Sequence, residues 1–153
     1  TEKVYRAFYG DYKKGKTFFH GHTFTANPVS CSAALASLRV FREEGTLGRV
    51  VALGARFHRS LERFNVLDLA GDVRYIGMVG AIELVKDKKT KKPFGIKERM
   101  GLRIYEEGLA RGLILRPLGN IVYLFLPFCI KEKELDHVSA GTFDIVKNLR
   151  NLT

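Results

Sequence analysis

The chain of 153 residues is 46% hydrophobic and 27% charged, and its 26 Lys and Arg against 16 Asp and Glu give a formal net charge of +10. A chain of this length is about one domain long and buries roughly two-thirds of its unfolded surface, so a core is expected. The sequence contains no tract that could span a bilayer, and its two distant cysteines, Cys31 and Cys129, indicate neither a disulfide framework nor a zinc site and favour a reducing cytoplasm.

The first predicted helix is short. Its apolar face consists of Val4, Tyr5, Phe8 and Tyr12. Gly15 is expected to end this helix, residues 17–20 to be extended, and residues 21–26 to form a loop of small and hydroxyl side chains. Asn27 and Pro28 then indicate the start of a second helix, because the asparagine can cap free N–H groups and the proline fixes φ at the first helical position.

This second helix is predicted over residues 29–41, and Gly45 is expected to stop it. A third helix is predicted over residues 47–64. Its inward stripe consists of Leu47, Val50, Val51, Gly54, Phe57, Leu61 and Phe64. Residues 73–76 and 80–85 are rich in β-forming side chains, and the glycines Gly77 and Gly80 indicate either two successive strands or one bulged strand.

The last third of the chain predicts two helices around a hairpin. Residues 96–111 are expected to be helical with Gly112 as C-cap, residues 113–116 and 121–126 to be paired strands, and residues 135–149 to form the final helix. This order of elements predicts an α+β layer, in which an antiparallel sheet has helices on one face.

A loop of chemical interest precedes the second helix. Gly21 lets the backbone approach a ligand, Thr23 offers an N–H and an O–H donor, and helical N–H groups follow within a few residues. Such a loop can bind a phosphate. Spacing alone more often indicates a simple helix cap, so both interpretations stand at this point.

Arg116 ends an otherwise apolar predicted strand. Pro117 disfavours the helical region for the residue before it and holds Arg116 extended. The planar guanidinium matches a carboxylate with two parallel hydrogen bonds, which makes Arg116 a candidate carboxylate clamp. An arginine that pairs with a structural acid at a sheet edge is an equal alternative.

The remaining motifs favour structural roles. Residues 73–85 resemble core strands whose glycines allow close packing. His20 and His22 form a pair that lacks a further ligand at a useful spacing, so no metal site is predicted. The basic cluster over residues 86–92 is typical of a solvated loop, although a polyanionic partner remains the alternative.

Taken together, the loop with Gly21, His22 and Thr23, the Asn27–Pro28 helix start and the arginine–proline turn resemble class III aminotransferases, a branch of the fold-type I enzymes that depend on pyridoxal 5'-phosphate. The resemblance covers nearly the whole chain. It implies that His22 and Thr23 bind the cofactor phosphate of a neighbouring subunit in a homodimer. Gly21 would border the substrate.

The segment from Arg116 to Asn120, followed by Tyr123, is most similar to the branch of this family that serves biotin biosynthesis. That similarity implies S-adenosylmethionine as amino donor and 8-amino-7-oxononanoate as acceptor, with Arg116 on a substrate carboxylate and Tyr123 as a neighbour in the pocket. Omega-amino acid, ornithine and GABA aminotransferases share the scaffold and remain alternatives. A stand-alone basic module that binds nucleic acid is the alternative from another class; the resemblance itself implies neither a nucleic-acid partner nor a membrane.

The resemblance also identifies a family motif that this sequence lacks. The family's Schiff-base lysine lies in a Gly-Lys motif that this sequence does not contain, so no catalytic residue is assigned and the chain alone is expected to be inactive. The first residue is not Met, and the chain is expected to begin within a longer gene product. Residues 1–44 are then expected to be the end of an α/β large domain with its linking helix, and residues 45–153 the C-terminal small domain.

Overall fold

The computed structural model describes residues 1–21 and 26–149. It divides the chain into two compact units, Thr1–Arg42 and Glu43–Thr153. None of the helices within those described ranges is long and apolar enough to cross a membrane.

The first unit contains the helices α1 (Glu2–Phe8) and most of α2 (Pro28–Glu43), and a 3-10 turn at Tyr12–Lys14 lies between them in the sequence. The prediction of one helix reaching Tyr12 is therefore wrong. Gly10 interrupts the helical run, and the side chain of Asp11 caps the separate turn by accepting from the Lys13 N–H at 2.9 Å. Gly15, at φ +61°, ends this turn and not α1.

Residues 17–20 belong to no strand, and the His20 N–H donates to the carbonyl of Phe18 at 2.9 Å. No described residue of the first unit is buried. Large apolar side chains are exposed along both helices, among them Tyr5, Phe8, Leu35, Leu38 and Val40.

The second unit contains three helices, four strands and two 3-10 turns within its described residues. In chain order these are α3 (Thr46–Glu62), a turn at Arg63–Val66, β1 (Ala70–Ile76), β2 (Val79–Asp87), β3 (Lys92–Pro93), a turn at Ile96–Glu98, α4 (Met100–Ala110), β4 (Ile121–Phe125) and α5 (Glu132–Asn148).

The sheet is antiparallel, with β2 as its central strand. β2 pairs with β1, with β4 and, near its end, with the short β3. The register places Ile76 opposite Val79, so Gly77 and Met78 form a two-residue hairpin turn in which Gly77 has φ +53°. Glycine adopts this left-handed conformation without steric cost, and two separate strands result.

One face of the sheet packs against the helices. The core that joins the two layers includes Phe57 and Leu61 from α3, Ile82 and Leu84 from β2, Ile104 from α4, Val122 and Leu124 from β4, and Leu135 and Ile145 from α5. On the opposite face Ile76 and Phe125 are 78% and 73% exposed. The predicted α+β layer with helices on one face is confirmed.

The predicted stripe of α3 is partly wrong. Leu47 and Val51 are 66% and 75% exposed, whereas Leu53, which the prediction omitted, is buried. At about 100° per residue, Leu47 and Val51 lie roughly 80° and 120° around the helix from Phe57, while Leu53 lies within about 40° of it. The buried stripe is therefore narrower than the apolar positions indicate.

The helices near the chain's end also begin at other residues than predicted. Arg99, at φ +47°, separates α4 from the preceding 3-10 turn, so the predicted continuous helix over residues 96–111 is wrong. α5 begins at Glu132, before the predicted start, because the Glu134 carboxylate accepts the Lys131 N–H at 2.8 Å and caps the helix.

Candidate functional site

The loop before α2 contains three predicted site residues. Gly21 is exposed, and His22 and Thr23 lie outside the described residues. At the helix start, the Asn27 side chain accepts hydrogen bonds from the N–H groups of Val29 at 3.0 Å and Ser30 at 3.2 Å. The predicted cap is confirmed, and it has a consequence: because Asn27 satisfies these two N–H groups, a phosphate near this loop would need other donors.

Arg116 lies in an extended segment between α4 and β4. The segment begins with a Schellman motif, in which the Leu113 N–H donates to Gly108 at 2.8 Å and the Gly112 N–H donates to Leu109 at 3.1 Å. Gly112 has φ +71°, so its predicted role in ending the helix is confirmed. Leu113 and Leu115 are buried, whereas Ile114 and Arg116 are exposed, and this alternation directs the arginine outward.

The segment does not pair with β4, so the predicted strand over residues 113–116 is wrong. Leu118 and Ile121 exchange two backbone hydrogen bonds of 2.8 and 2.9 Å, which sets a register that places Arg116 opposite Tyr123. Beyond this bridge the structure shows no backbone hydrogen bond between the two described segments. A cavity of 310 Å³ separates them.

Packing against the helices explains this opening. A Cβ on Gly141 would lie 2.6 Å from Cδ1 of Leu113, and a Cβ on Gly108 would lie 3.3 Å from Cδ1 of Leu115. The two leucines thus occupy space that only these glycines leave free on α5 and α4. Since both leucines are anchored on helices, the segment stays away from the edge of β4.

The cavity brings together two predicted site residues, Arg116 and Tyr123. Its other lining residues are Leu113, Ile114, Leu115, Leu124, Phe125, Leu126 and Val138. Arg116 is exposed at this cavity, and no hydrogen bond or ion pair joins its guanidinium to another described residue. Arg56 and Arg74, by contrast, both pair with two carboxylates. The alternative of a structural ion pair at Arg116 is therefore not found among the described residues.

Asn120 is a residue whose role the sequence did not indicate. The side-chain N–H₂ of Asn120 donates to the backbone carbonyl of Phe94 at 2.9 Å. The backbone carbonyl of Asn120 accepts from the Leu84 N–H at 2.8 Å. Asn120 therefore fixes the turn after Pro117 to the sheet and to the loop before α4. Asparagine in a turn is too common a feature to predict this contact.

His58 lies on α3, where its ring contacts the β1–β2 hairpin. The His58 ring stacks on Tyr75 with 4.1 Å between ring centroids, and its Nε2 is 2.9 Å from the carbonyl oxygen of Gly77. The Tyr75 hydroxyl donates to Glu62 at 3.0 Å, and this bond raises the pKa of the tyrosine. Within residues 1–21 and 26–149, no group of three or more His, Cys, Asp or Glu side chains is placed to hold a metal.

Comparison with known proteins gives one consistent family. Residues 1–146 match the model of class-III aminotransferases. An adenosylmethionine-8-amino-7-oxononanoate aminotransferase from Geobacter sulfurreducens is 45% identical over 141 residues, which are 92% of this chain and 31% of that protein. The crystal structure of the protein of the same name from Methanocaldococcus jannaschii has a TM-score of 0.83 at 37% identity, over 97% of this chain and 34% of that one.

A PMP-bound aminotransferase from Vibrio fluvialis has a TM-score of 0.79 at 33% identity, over 92% of this chain and 30% of its own. This chain thus spans about a third of the length of the relatives that it matches.

Proposed function

Because this chain belongs to the class III aminotransferases, we propose that it forms the carboxylate-binding end of an active site that transfers an amino group from S-adenosylmethionine to 8-amino-7-oxononanoate. The product would be 7,8-diaminononanoate, in biotin biosynthesis. The activity is proposed for a polypeptide that contains, besides these 153 residues, the remaining two-thirds of the length of the relatives.

The observation that carries this proposal is the guanidinium of Arg116, which is exposed at the cavity beside β4 and has no acidic partner among the described residues. An unpaired arginine with an approach from solvent can offer both arms of its fork to a carboxylate. Pro117 holds the backbone of Arg116 extended, and Asn120 fixes the turn that follows. The backbone position from which the arginine side chain extends is therefore set before a ligand binds.

The lining of the cavity suits an acceptor whose carboxylate ends a hydrocarbon chain. Ile114 and Phe125 are exposed apolar side chains on the two sides of the opening, and the half-buried Tyr123 lies opposite Arg116. Such a surface would hold methylene groups while the arginine binds the charge. Tyr123 would orient the chain beside it.

Pyridoxal 5'-phosphate, when bound, supplies the electron sink for amino transfer. By resemblance to the family we propose His22 and Thr23 as its phosphate donors. The helical N–H groups of Val29 and Ser30 already donate to Asn27. By the same resemblance Gly21 would border the substrate, and the open space around its Cβ position leaves the backbone accessible.

The proposal has two further parts. By resemblance to the family, the loop at Gly21 would serve the neighbouring subunit of a homodimer, with residues 1–44 belonging to the large domain and residues 45–153 forming the small domain. The lysine that carries the cofactor would come from outside these residues. The chain alone would then be inactive, in a cytoplasmic protein.

The test of the substrates is a coupled assay of the full-length enzyme with S-adenosylmethionine and 8-amino-7-oxononanoate. Turnover with this pair supports the proposal. Activity only with pyruvate or 2-oxoglutarate as acceptor would contradict it and would identify an omega-amino acid, ornithine or GABA aminotransferase.

The test of the clamp is Arg116→Ala in the same enzyme. Loss of hydrogen bonds to a charged group costs about 1.5–3 kcal/mol, so KM for the oxononanoate should rise roughly ten- to a hundredfold. Lys133→Ala is the matched control, since it removes one exposed positive charge from α5 that does not line the cavity. An unchanged KM in the Arg116 variant would refute the assigned role.

A further inference from the structure

A second cavity lies between α3 and the start of α5. We refer to it as the arginine cleft. It has a volume of 410 Å³ and is lined by Arg49, Ala52, Leu53, Arg56, Arg59, Ile130, Lys131 and Glu132. Four of these eight residues are cations and one is an acid. All of them belong to the second unit, and none lines the cavity at Arg116.

Helical spacing explains the concentration of charge on one side of the cleft. Arg49, Ala52, Arg56 and Arg59 follow one another at intervals of three and four residues, so they form a single stripe along α3 that is about 15 Å long. The chain before α5 adds Lys131 on the facing side. The cleft therefore has positive charge on both of its walls.

Only one of the four cations is neutralised by the described acids. Arg56 binds Asp136 through two hydrogen bonds of 2.8 and 2.6 Å and lies 3.3 Å from Glu132. Arg49 donates to the carbonyl oxygen of Phe128 at 2.5 Å, a neutral acceptor that orients the guanidinium and leaves its charge uncompensated. The side chains of Arg59 and Lys131 form no hydrogen bond or ion pair with a described residue.

Three uncompensated cations around one cavity favour a ligand with more than one negative charge. Phosphate groups meet this condition better than a single carboxylate, and the fork of an arginine matches their oxygens. Ala52, Leu53 and Ile130 add an apolar part, which suits an organic group attached to the phosphate. The volume of 410 Å³ lies in the range of small-molecule sites.

From this arrangement we propose that the arginine cleft binds an organic phosphate of nucleotide size, with Arg49, Arg59 and Lys131 as the residues that hold its phosphate groups. The concave shape between two helices favours a small molecule over a long polyanion, which would need a continuous basic face. The site is separate from the proposed transamination. Its test does not depend on turnover.

The experiment is a calorimetric titration of the 153-residue chain with ATP and with inorganic pyrophosphate. One saturable site is expected for both, with tighter binding of ATP because of its organic group. The double variant Arg59→Ala/Lys131→Ala should weaken ATP binding about tenfold or more. Both side chains are exposed and unpaired among the described residues, so circular dichroism should show an intact fold.

The matched control is Lys97→Ala/Lys133→Ala, which removes the same charge from exposed positions outside the cleft. It should change ATP affinity by less than about twofold. Lys131→Glu is a second variant, which should weaken binding through charge reversal without shortening the side chain to a methyl group.

Three results would overturn the proposal. The first is no saturable heat with millimolar ATP or pyrophosphate. The second is equal weakening by the control pair, which would mean that only the net charge matters. The third is an affinity for duplex DNA equal to that for ATP and equally weakened by the double variant. The surface would then bind a phosphate backbone and not a small molecule.

Discussion

Gly80 lies where β2 passes under α3, and replacing it tests how tightly these two layers pack. A Cβ at Gly80 would lie 2.3 Å from Cδ1 of Leu61 and 3.1 Å from Cζ of Phe57, and both of these side chains are fully buried. Carbon atoms in contact are normally about 3.5–4.0 Å apart, so in Gly80→Ala the Leu61 side chain must move by more than about 1 Å inside a close-packed core.

The free-energy change has two parts of opposite sign. Overpacking a core costs about 1–3 kcal/mol, whereas alanine restricts the unfolded chain and recovers about 0.4–1 kcal/mol. Gly80→Ala should therefore lower the free energy of unfolding by about 1–2 kcal/mol. Gly48→Ala is the control. Gly48 is an exposed residue of α3 with no atom within 4 Å of its Cβ position, and alanine there should stabilise the helix by about 0.5–1 kcal/mol.

Urea unfolding followed by circular dichroism measures both variants against the parent chain, with equal slopes required for the comparison. The expected result is a shift of the midpoint in opposite directions. A Gly80 variant as stable as the parent would show that α3 and β2 can separate without cost, and the packing argument would fail.

Three further predictions concern caps and titrating groups. Asn27→Ala should destabilise the start of α2 by about 1 kcal/mol, because the N–H groups of Val29 and Ser30 lose their acceptor. Amide hydrogen exchange at Val29 and Ser30 should become faster, and unchanged exchange would contradict the role of the cap. Hydrogen bonds from Arg56 lower the pKa of Asp136 below its ordinary 3.8, so this carboxylate stabilises the fold above that pH and loses its effect as the pH falls. Asp136→Asn should accordingly reduce the acid-induced drop in the urea midpoint. The hydrogen bond to Glu62 raises the pKa of Tyr75 above its ordinary 10.0, so its contribution is present below that pH and is lost as the pH rises through the raised value. Glu62→Gln should lower this pKa in a titration of phenolate absorbance, and no change would exclude Glu62 as its cause.

Local patterns were sufficient to predict much of the fold. Two stretches of β-forming side chains separated by glycines predicted either two successive strands or one bulged strand, and the structure has the two strands β1 and β2. Asn27 followed by Pro28 predicted the start of α2. These features depend on residues that are neighbours in sequence, so their physical basis is visible there.

The opening beside Arg116 could not be predicted in this way. It depends on Gly108 and Gly141, which leave space on α4 and α5 for Leu113 and Leu115. These contacts join elements that lie far apart in the sequence. The sequence predicted two paired strands, over residues 113–116 and 121–126, whereas the structure has a cavity between these segments, lined by both Arg116 and Tyr123.

The arginine cleft escaped prediction for a related reason. Arginines spaced along a helix are common on protein surfaces, and their charge alone indicates only solvation. Arg49 and Arg59 differ from such arginines because Lys131 faces them and because Leu53 and Ile130 add apolar surface to the same cavity. This arrangement requires the tertiary packing of α3 against α5.

The first unit has no interior of its own, since none of its described residues is buried. Such a segment gains little free energy by ordering itself, so its order must come from a surface that covers its aromatic and aliphatic side chains. Ordering of this segment and contact with such a surface would then be thermodynamically linked.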